Sequence, residues 1–224
     1  MTTSSPEITP TDRIKFKRVA ERGTYDRDVI NAIFDEALIC QVGFSVQGRP
    51  FVIPTIHWRI GDALYLHGSP GSRLLRHICS GEEVCISVTH LDGLILARSA
   101  FHHSMNYRSA LVFGQGAPVE DETERMEALR VLTDKIAPGR WDEVRAPNEV
   151  EMKQTLVVRI PISEASAKTR TGGPKDDEVD YELDIWAGII PLKLVAGEPI
   201  PDDRLNSSLE LSQSARAVLA RQSF

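Results

Sequence analysis

Cysteine is scarce in this chain: Cys40, Cys79 and Cys85 are its three, in 224 residues. Three thiols cannot all pair within one chain, and no CxxC is present. A disulfide framework is therefore excluded, and reduced, mostly buried thiols in a cytoplasmic protein are expected. No apolar run approaches the length of a membrane span, so no membrane partner is expected. Met1 to Thr11 is Ser/Thr/Pro-rich and lacks the apolar stretch of a signal peptide; it reads as a flexible arm. Positive charge is not in excess. Lys and Arg number 26 against 32 Asp and Glu, a net charge of −6, which argues against a general nucleic-acid binder. No internal repeat and no Ser/His/Asp triad is evident. His90, His102 and His103 have no carboxylate or thiolate at matching spacing, and adjacent histidines on an extended segment point apart, so no metal site is expected. The acidic runs at Glu120 to Glu124 and Asp176 to Asp180 read as a helix start and a solvated loop.

What remains is 42% hydrophobic content, enough for one ordinary globular domain with a sizeable core. Asp26 or Thr24 can cap a first helix whose apolar face is Val29, Ile30, Ile33, Phe34 and Ala37. Three strands follow as a meander, over residues 38–46, 51–58 and 63–67, with turns at Gln47-Gly48-Arg49 and Gly61-Asp62. A short helix runs from Ser72 to Cys79. Further strands are expected over 84–89, 91–97, 107–116 and 156–160. Between the last two lies a helix that starts with a capping-box pattern at Asp121 and Glu124 and ends near Ile136. Residues 167–180 read as a charged loop, 186–194 as a returning strand or docked segment, and the end as a helix. Short hairpin spacings rule out parallel crossovers, so a closed antiparallel sheet is expected.

The most informative stretch is Pro50 to Arg76: strand, turn, strand, then Gly68-Ser69-Pro70-Gly71-Ser72-Arg73 opening a helix. A small polar loop with an Arg at a helix start suits an anion, since free N–H groups and the helix dipole converge there. Ser69, Ser72 and Arg73 are the candidate phosphate ligands, although Ser72 and Arg73 equally fit a plain helix cap with a solvated Arg. Ile53-Pro54-Thr55-Ile56 fits an edge or irregular strand, because Pro54 has no N–H to donate. Such an edge leaves backbone groups for a ligand. Arg108, within a strand, needs either a carboxylate or a phosphate, and the phosphate is the reading preferred.

The ordered series "RPFVIPTIHWRIGDALYLHGSPGSRLLRHI", "EEVCISVTH" and "NYRSALVFGQGAPVEDETERMEAL" resembles the pyridoxamine 5'-phosphate oxidase-like flavoproteins, nearest to their nitroimidazole-reductase-like branch. The resemblance covers about residues 12 to 194. It implies a mainly β fold, a split β-barrel of the FMN-binding type over 12–200, followed by a tail over 201–224. It also implies a homodimer with FMN in a groove at the subunit interface. The phosphate would lie on Ser72 and Arg73, the flavin ring along Ile53 to Ile56, and Tyr107, Arg108 and Ser109 near the phosphate or the facing subunit. His67 would neighbour the flavin and is the one candidate for proton transfer, imidazole titrating in the useful range. His57 shares a strand face with Thr55 and contacts the cofactor if that is the flavin face. Trp186 is either a core residue or a cover over the flavin.

The function so implied is an FMN-dependent oxidoreductase, with an electron donor such as NAD(P)H and a small-molecule substrate, nitro compounds among the candidates. The alternative is a carrier or sensor of flavin, deazaflavin or haem without turnover; a haem would want a presented histidine, His67 or His102. The acidic chain favours FMN over the longer, acidic deazaflavin. The C-terminal Arg-Leu-type signature of vitamin B6 oxidation is absent: the tail reads Asp203-Arg204-Leu205-Asn206.

Overall fold

The strands are β1 (Gly23–Thr24), β2 (Ile39–Val46), β3 (Arg49–Ile56), β4 (Trp58–Ile60), β5 (Ala63–Gly68), β6 (Glu83–Leu96), β7 (Ser104–Gln115), β8 (Ala117–Pro118), β9 (Leu156–Pro161), β10 (Glu164–Arg170) and β11 (Gly188–Pro191). The helices are α1 (Arg27–Glu36), α2 (Arg73–Cys79), α3 (Glu122–Ile136), α4 (Glu149–Gln154) and α5 (Gln213–Leu219). This is a computed structural model describing residues 7–206 and 208–221. Most of the expected N-terminal arm, residues 1–6, lies outside the described residues; within it Ile8 is buried and its N–H donates to the Tyr25 carbonyl at 2.9 Å.

The chain forms two compact units. One gathers the chain up to Thr55, Glu83–Gly114 and Ile162–Lys193; the other gathers Ile56–Glu82, Gln115–Pro161 and the chain from Leu194. In the first, an antiparallel sheet runs β1-β10-β7-β6-β2-β3, with β11 also on β6. Asp26 starts α1, its carboxylate accepting from the Asp28 and Val29 N–H groups, and Ile30, Ile33 and Phe34 are buried. Val29, expected inside, faces out at 39% exposure.

The two strands expected over 84–89 and 91–97 are one, β6. Its buried residues alternate through Val84, Ile86 and Val88, then change parity to Gly93 and Ile95. That break in period reads as a strand end in sequence. The backbone runs through it because β2 pairs with its first half, at Cys85 to Ser87, and β11 with its second, Gly93 to Leu96. The loop expected over 167–180 is corrected in its first part. β10 pairs with β7 from Glu164↔Phe113 to Arg170↔Tyr107. Three of its four buried residues, Ala165, Ser166 and Ala167, are small and the fourth is Arg170, so they leave no strong strand signal.

In the second unit the sheet order is β4-β5-β9-β8. Trp58, Tyr65, Val119, Ala128, Leu129, Leu132, Met152 and Val157 form its core, with Trp58 and Tyr65 stacked at 6.0 Å between ring centroids. The strand expected over 51–58 breaks at His57, which is buried between β3 and β4. The meander is thereby shared between two sheets, β3 in one and β4 in the other.

Asp121 caps α3 by accepting from the Glu124 N–H at 2.7 Å. The reciprocal half of that capping box is not made. Glu124 instead accepts from the Tyr65 hydroxyl and from Arg159, each at 3.0 Å. A complete box occurs at Asn148 and Glu151, starting α4. α4 was not expected, because Met152 is its only buried residue and so short a helix shows no apolar period. α5, capped by Ser212, is the expected terminal helix. Ser214 donates its N–H and hydroxyl to Glu143, which holds that carboxyl down at about 2.

Gly116 shows how closely this unit packs. A Cβ there would sit 2.6 Å from Ile78 Cγ2 and 2.9 Å from the Arg159 carbonyl oxygen. Gly116→Ala should cost about 1–3 kcal/mol, the range for overpacking, read as a lower urea midpoint with an unchanged m-value.

Candidate functional site

The loop after β5 is tied to itself. The Ser69 hydroxyl accepts from the Gly71 N–H at 3.2 Å, and the Ser69 carbonyl from the Ser72 N–H at 2.9 Å. Ser72 is the N-cap of α2, its hydroxyl oxygen accepting from the Leu75 N–H at 3.4 Å. Arg76 closes the loop from behind through the Pro70 carbonyl, at 3.4 Å. Both serine oxygens thus serve the loop's own backbone, and their hydroxyl hydrogens remain to donate. Arg73, at the first helical position, is exposed.

His67 stands one residue before the end of β5. It is half-buried, and its Nδ1 is fully buried without a hydrogen-bond partner among the described residues. Its ring leans on Trp58, centroids 5.7 Å apart at 59°, and Trp58 Nε1 is likewise buried and unpartnered. Burial pushes the His67 pKa below its ordinary value, so the ring is neutral at pH 7 and keeps a lone pair. His102 Nε2 is likewise buried without a hydrogen-bond partner among the described residues, and it lies 3.5 Å from Asp177 Oδ1.

In the first unit β3 is a terminal strand of its sheet, where Pro54 is tolerated. Ile53, Thr55 and Ile56 are half-buried on it, and Pro54 is exposed. His57 lies beyond the strand end, so it shares no strand face with Thr55. Tyr107 and Ser109 sit on β7, two strands away from β3's neighbour β2 in the order β7-β6-β2-β3. Tyr107 is opposite Arg170, and the Ser109 hydroxyl donates to the Lys168 carbonyl at 3.3 Å.

Arg108 takes the carboxylate alternative. It makes a bidentate pair with Asp92 at 3.0 and 2.8 Å and a second with Glu36. The preferred phosphate reading would require exchanging both. Arg108 holds the Glu36 carboxyl below its usual range. The stability this pair contributes is present above the unfolded carboxylate value near 4.5 and is lost as pH falls through the lower folded value. Arg108→Ala is expected to cost about 1–2 kcal/mol at pH 7, above a single exposed pair because two bidentate pairs are lost. It should also flatten the acid limb of stability against pH.

Trp186 is 66% exposed, with its six-membered ring edge against Gly188. It is therefore not a core residue. The sequence reading missed Trp58 as the neighbour of His67. The signal was there: Trp58 pairs across from Tyr65, and Tyr65 and His67 are two apart on one strand.

The profile of the family described as pyridoxamine 5'-phosphate oxidase matches residues 26–169. The flavocytochrome Anf3 from Azotobacter vinelandii is 38% identical, with 94% of this chain and 98% of that one covered and a TM-score of 0.87. An FAD and haem binding protein from Mycobacterium smegmatis is 33% identical over 88% of this chain and 97% of its own, with a TM-score of 0.84. A candidate 5-nitroimidazole antibiotic resistance protein from Bacteroides thetaiotaomicron shares the fold, at 24% identity, a TM-score of 0.56 and coverage of 65% and 85%. No functionally curated protein matches the chain. No described helix is long and apolar enough to cross a membrane. With its antiparallel sheets and flanking helices, the chain belongs to the pyridoxamine 5'-phosphate oxidase-like family of flavin-binding split β-barrels.

Proposed function

We propose that this protein is a redox protein carrying a flavin, as FAD, together with a haem. The observation that carries this reading is the likeness, over nearly the whole of both chains, to a flavocytochrome and to an FAD and haem binding protein. The residues present fit both groups. For the haem, His67 supplies a neutral imidazole with an unpartnered buried nitrogen, the protonation state that ligates iron. For the flavin, Ser69, Ser72 and Arg73 supply hydroxyl donors and a cation at the phosphate, and Ile53 to Ile56 offer a terminal strand to the ring.

When bound, the flavin exchanges electron pairs or single electrons and the haem single electrons. The chain binds, orients and tunes them. His57, Tyr107, Ser109 and Trp186 complete the proposed flavin surroundings. NAD(P)H is the proposed electron donor, and a small molecule, nitro compounds among them, the acceptor. A homodimer is part of the reading. Trp186, Ile185, Ile189 and Ile190 are all at least 39% exposed on one short segment, which supports a covering second copy.

Mass spectrometry of the flavin released by heat tests the cofactor. An FAD mass is the expected result. An FMN mass would leave a flavoprotein of the family but overturn the FAD assignment.

A further inference from the structure

Arg170, the last residue of β10, is 6% exposed. Its guanidinium donates to Asn106 Oδ1 at 2.7 Å and to the carbonyls of Gly172 and Gly173 at 3.3 and 3.2 Å. These acceptors are neutral. Three of its five N–H donors are used, and among the described residues no carboxylate faces its charge. A buried cation without a counter-ion is costly.

The surroundings add positive charge. Arg22 ends the 3-10 turn Ala20–Arg22 that touches β10, one residue before Gly23, which pairs with Lys168. Arg22 is half-buried and makes no ion pair among the described residues. Lys168 donates to the Arg18 carbonyl at 3.0 Å, and among the described residues neither Lys168 nor Arg18 pairs with an acid. Glu21, in the same turn, is exposed and pairs with none of them. Burial first, and then the like charge of Arg22, holds the Arg170 pKa below its ordinary value, and the Tyr107 phenol across the strand pair is the opposing influence. Three other arginines of this unit are matched to acids: Arg13 to Glu83 and Glu164, Arg98 to Asp176, Arg108 to Glu36 and Asp92.

We infer that Arg22 and Arg170, backed by Lys168, form an oxyanion site on the first unit that takes a phosphate or carboxylate group of a small molecule. Two guanidinium forks suit an anion with several oxygens, such as a phosphate ester, better than a halide. The group can belong to a free phosphorylated or carboxylate-bearing ligand, or to an acidic group of a resident cofactor.

Calorimetric titration of the purified protein with inorganic pyrophosphate, at low salt and with chloride as the control, tests the site. Binding is expected, weakened at least about tenfold in Arg22→Gln, as for loss of one charge-assisted pair. Unchanged cofactor content in that variant points to a free ligand. Pyrophosphate binding by wild type only after its cofactor is removed, with cofactor lost from Arg22→Gln, points to the cofactor's own acidic group. Arg170→Lys, which keeps the charge but not the fork, should bind more weakly than wild type while melting as a folded protein. An Arg22→Gln protein that binds pyrophosphate as wild type does and keeps its cofactor would overturn the site. So would a wild type that takes no pyrophosphate with or without its cofactor. Either result leaves the flavin and haem reading untouched, since that reading is judged by the cofactors retained.

Discussion

Replacing His67 with alanine should remove the haem Soret band while leaving the flavin bands in place. Three features combine at this histidine. It is half-buried with a fully buried, unpartnered Nδ1, its ring is held by Trp58, and burial lowers its pKa. A ligand to iron must be neutral, and the proton is already disfavoured at this position. His102, the other candidate, also has a buried, unpartnered Nε2 among the described residues, but with the acid Asp177 3.5 Å from it. Loss of even the supporting partner of a metal-bound histidine costs 10- to 100-fold, so loss of the ligand should weaken haem binding by at least about 100-fold. His102→Ala should keep the Soret band. The reverse pattern, haem lost from His102→Ala and kept by His67→Ala, would move the ligand to the first unit.

Trp58→Ala should be the most damaging single change to stability, at about 3–5 kcal/mol, the range for emptying a large buried aromatic site. Trp58 is wholly buried, stacks on Tyr65 and packs with Val119, Leu129, Leu132, Met152 and Val157. It also backs the His67 ring. The variant is therefore expected to lose haem in proportion to its looser core, at temperatures where it is still folded. Trp58→Phe keeps a ring and should cost less. Chemical denaturation followed by far-UV circular dichroism reads both. A cost under about 1 kcal/mol for Trp58→Ala would mean that the site refills by collapse and that the cluster is not the unit's core.

Much of the fold was legible because it is written locally. Asp26, Ser72 and Asp121 cap the helices whose starts they mark. The Gly61 turn joins β4 to β5, as its spacing implies. Elements whose identity depends on distant partners were not legible. β10 is recognisable only beside β7, and β6 runs straight through a change of parity because two different strands flank it. His57 divides an apolar run into members of two sheets, which no alternation within the run reveals.

The candidate site divides in the same way. The loop from Gly68 to Arg73 was visible as a small polar stretch between a strand and a helix, and Ser72 does open α2. Arg108 was visible as an anomaly, a charge within a strand. Its partners were not, since Asp92 is 16 residues away and Glu36 is 72 away. Arg170 carried no signal at all. Its meaning comes from burial and from the lack of a neighbouring acid, both properties of the folded chain.

The most direct test of the central reading is the visible absorption spectrum of the freshly purified protein, recorded before and after reduction with dithionite. The expected result is a Soret band superimposed on flavin absorption, with both changing on reduction. A protein that shows neither band, and acquires neither after incubation with FAD, FMN and haem, would contradict it.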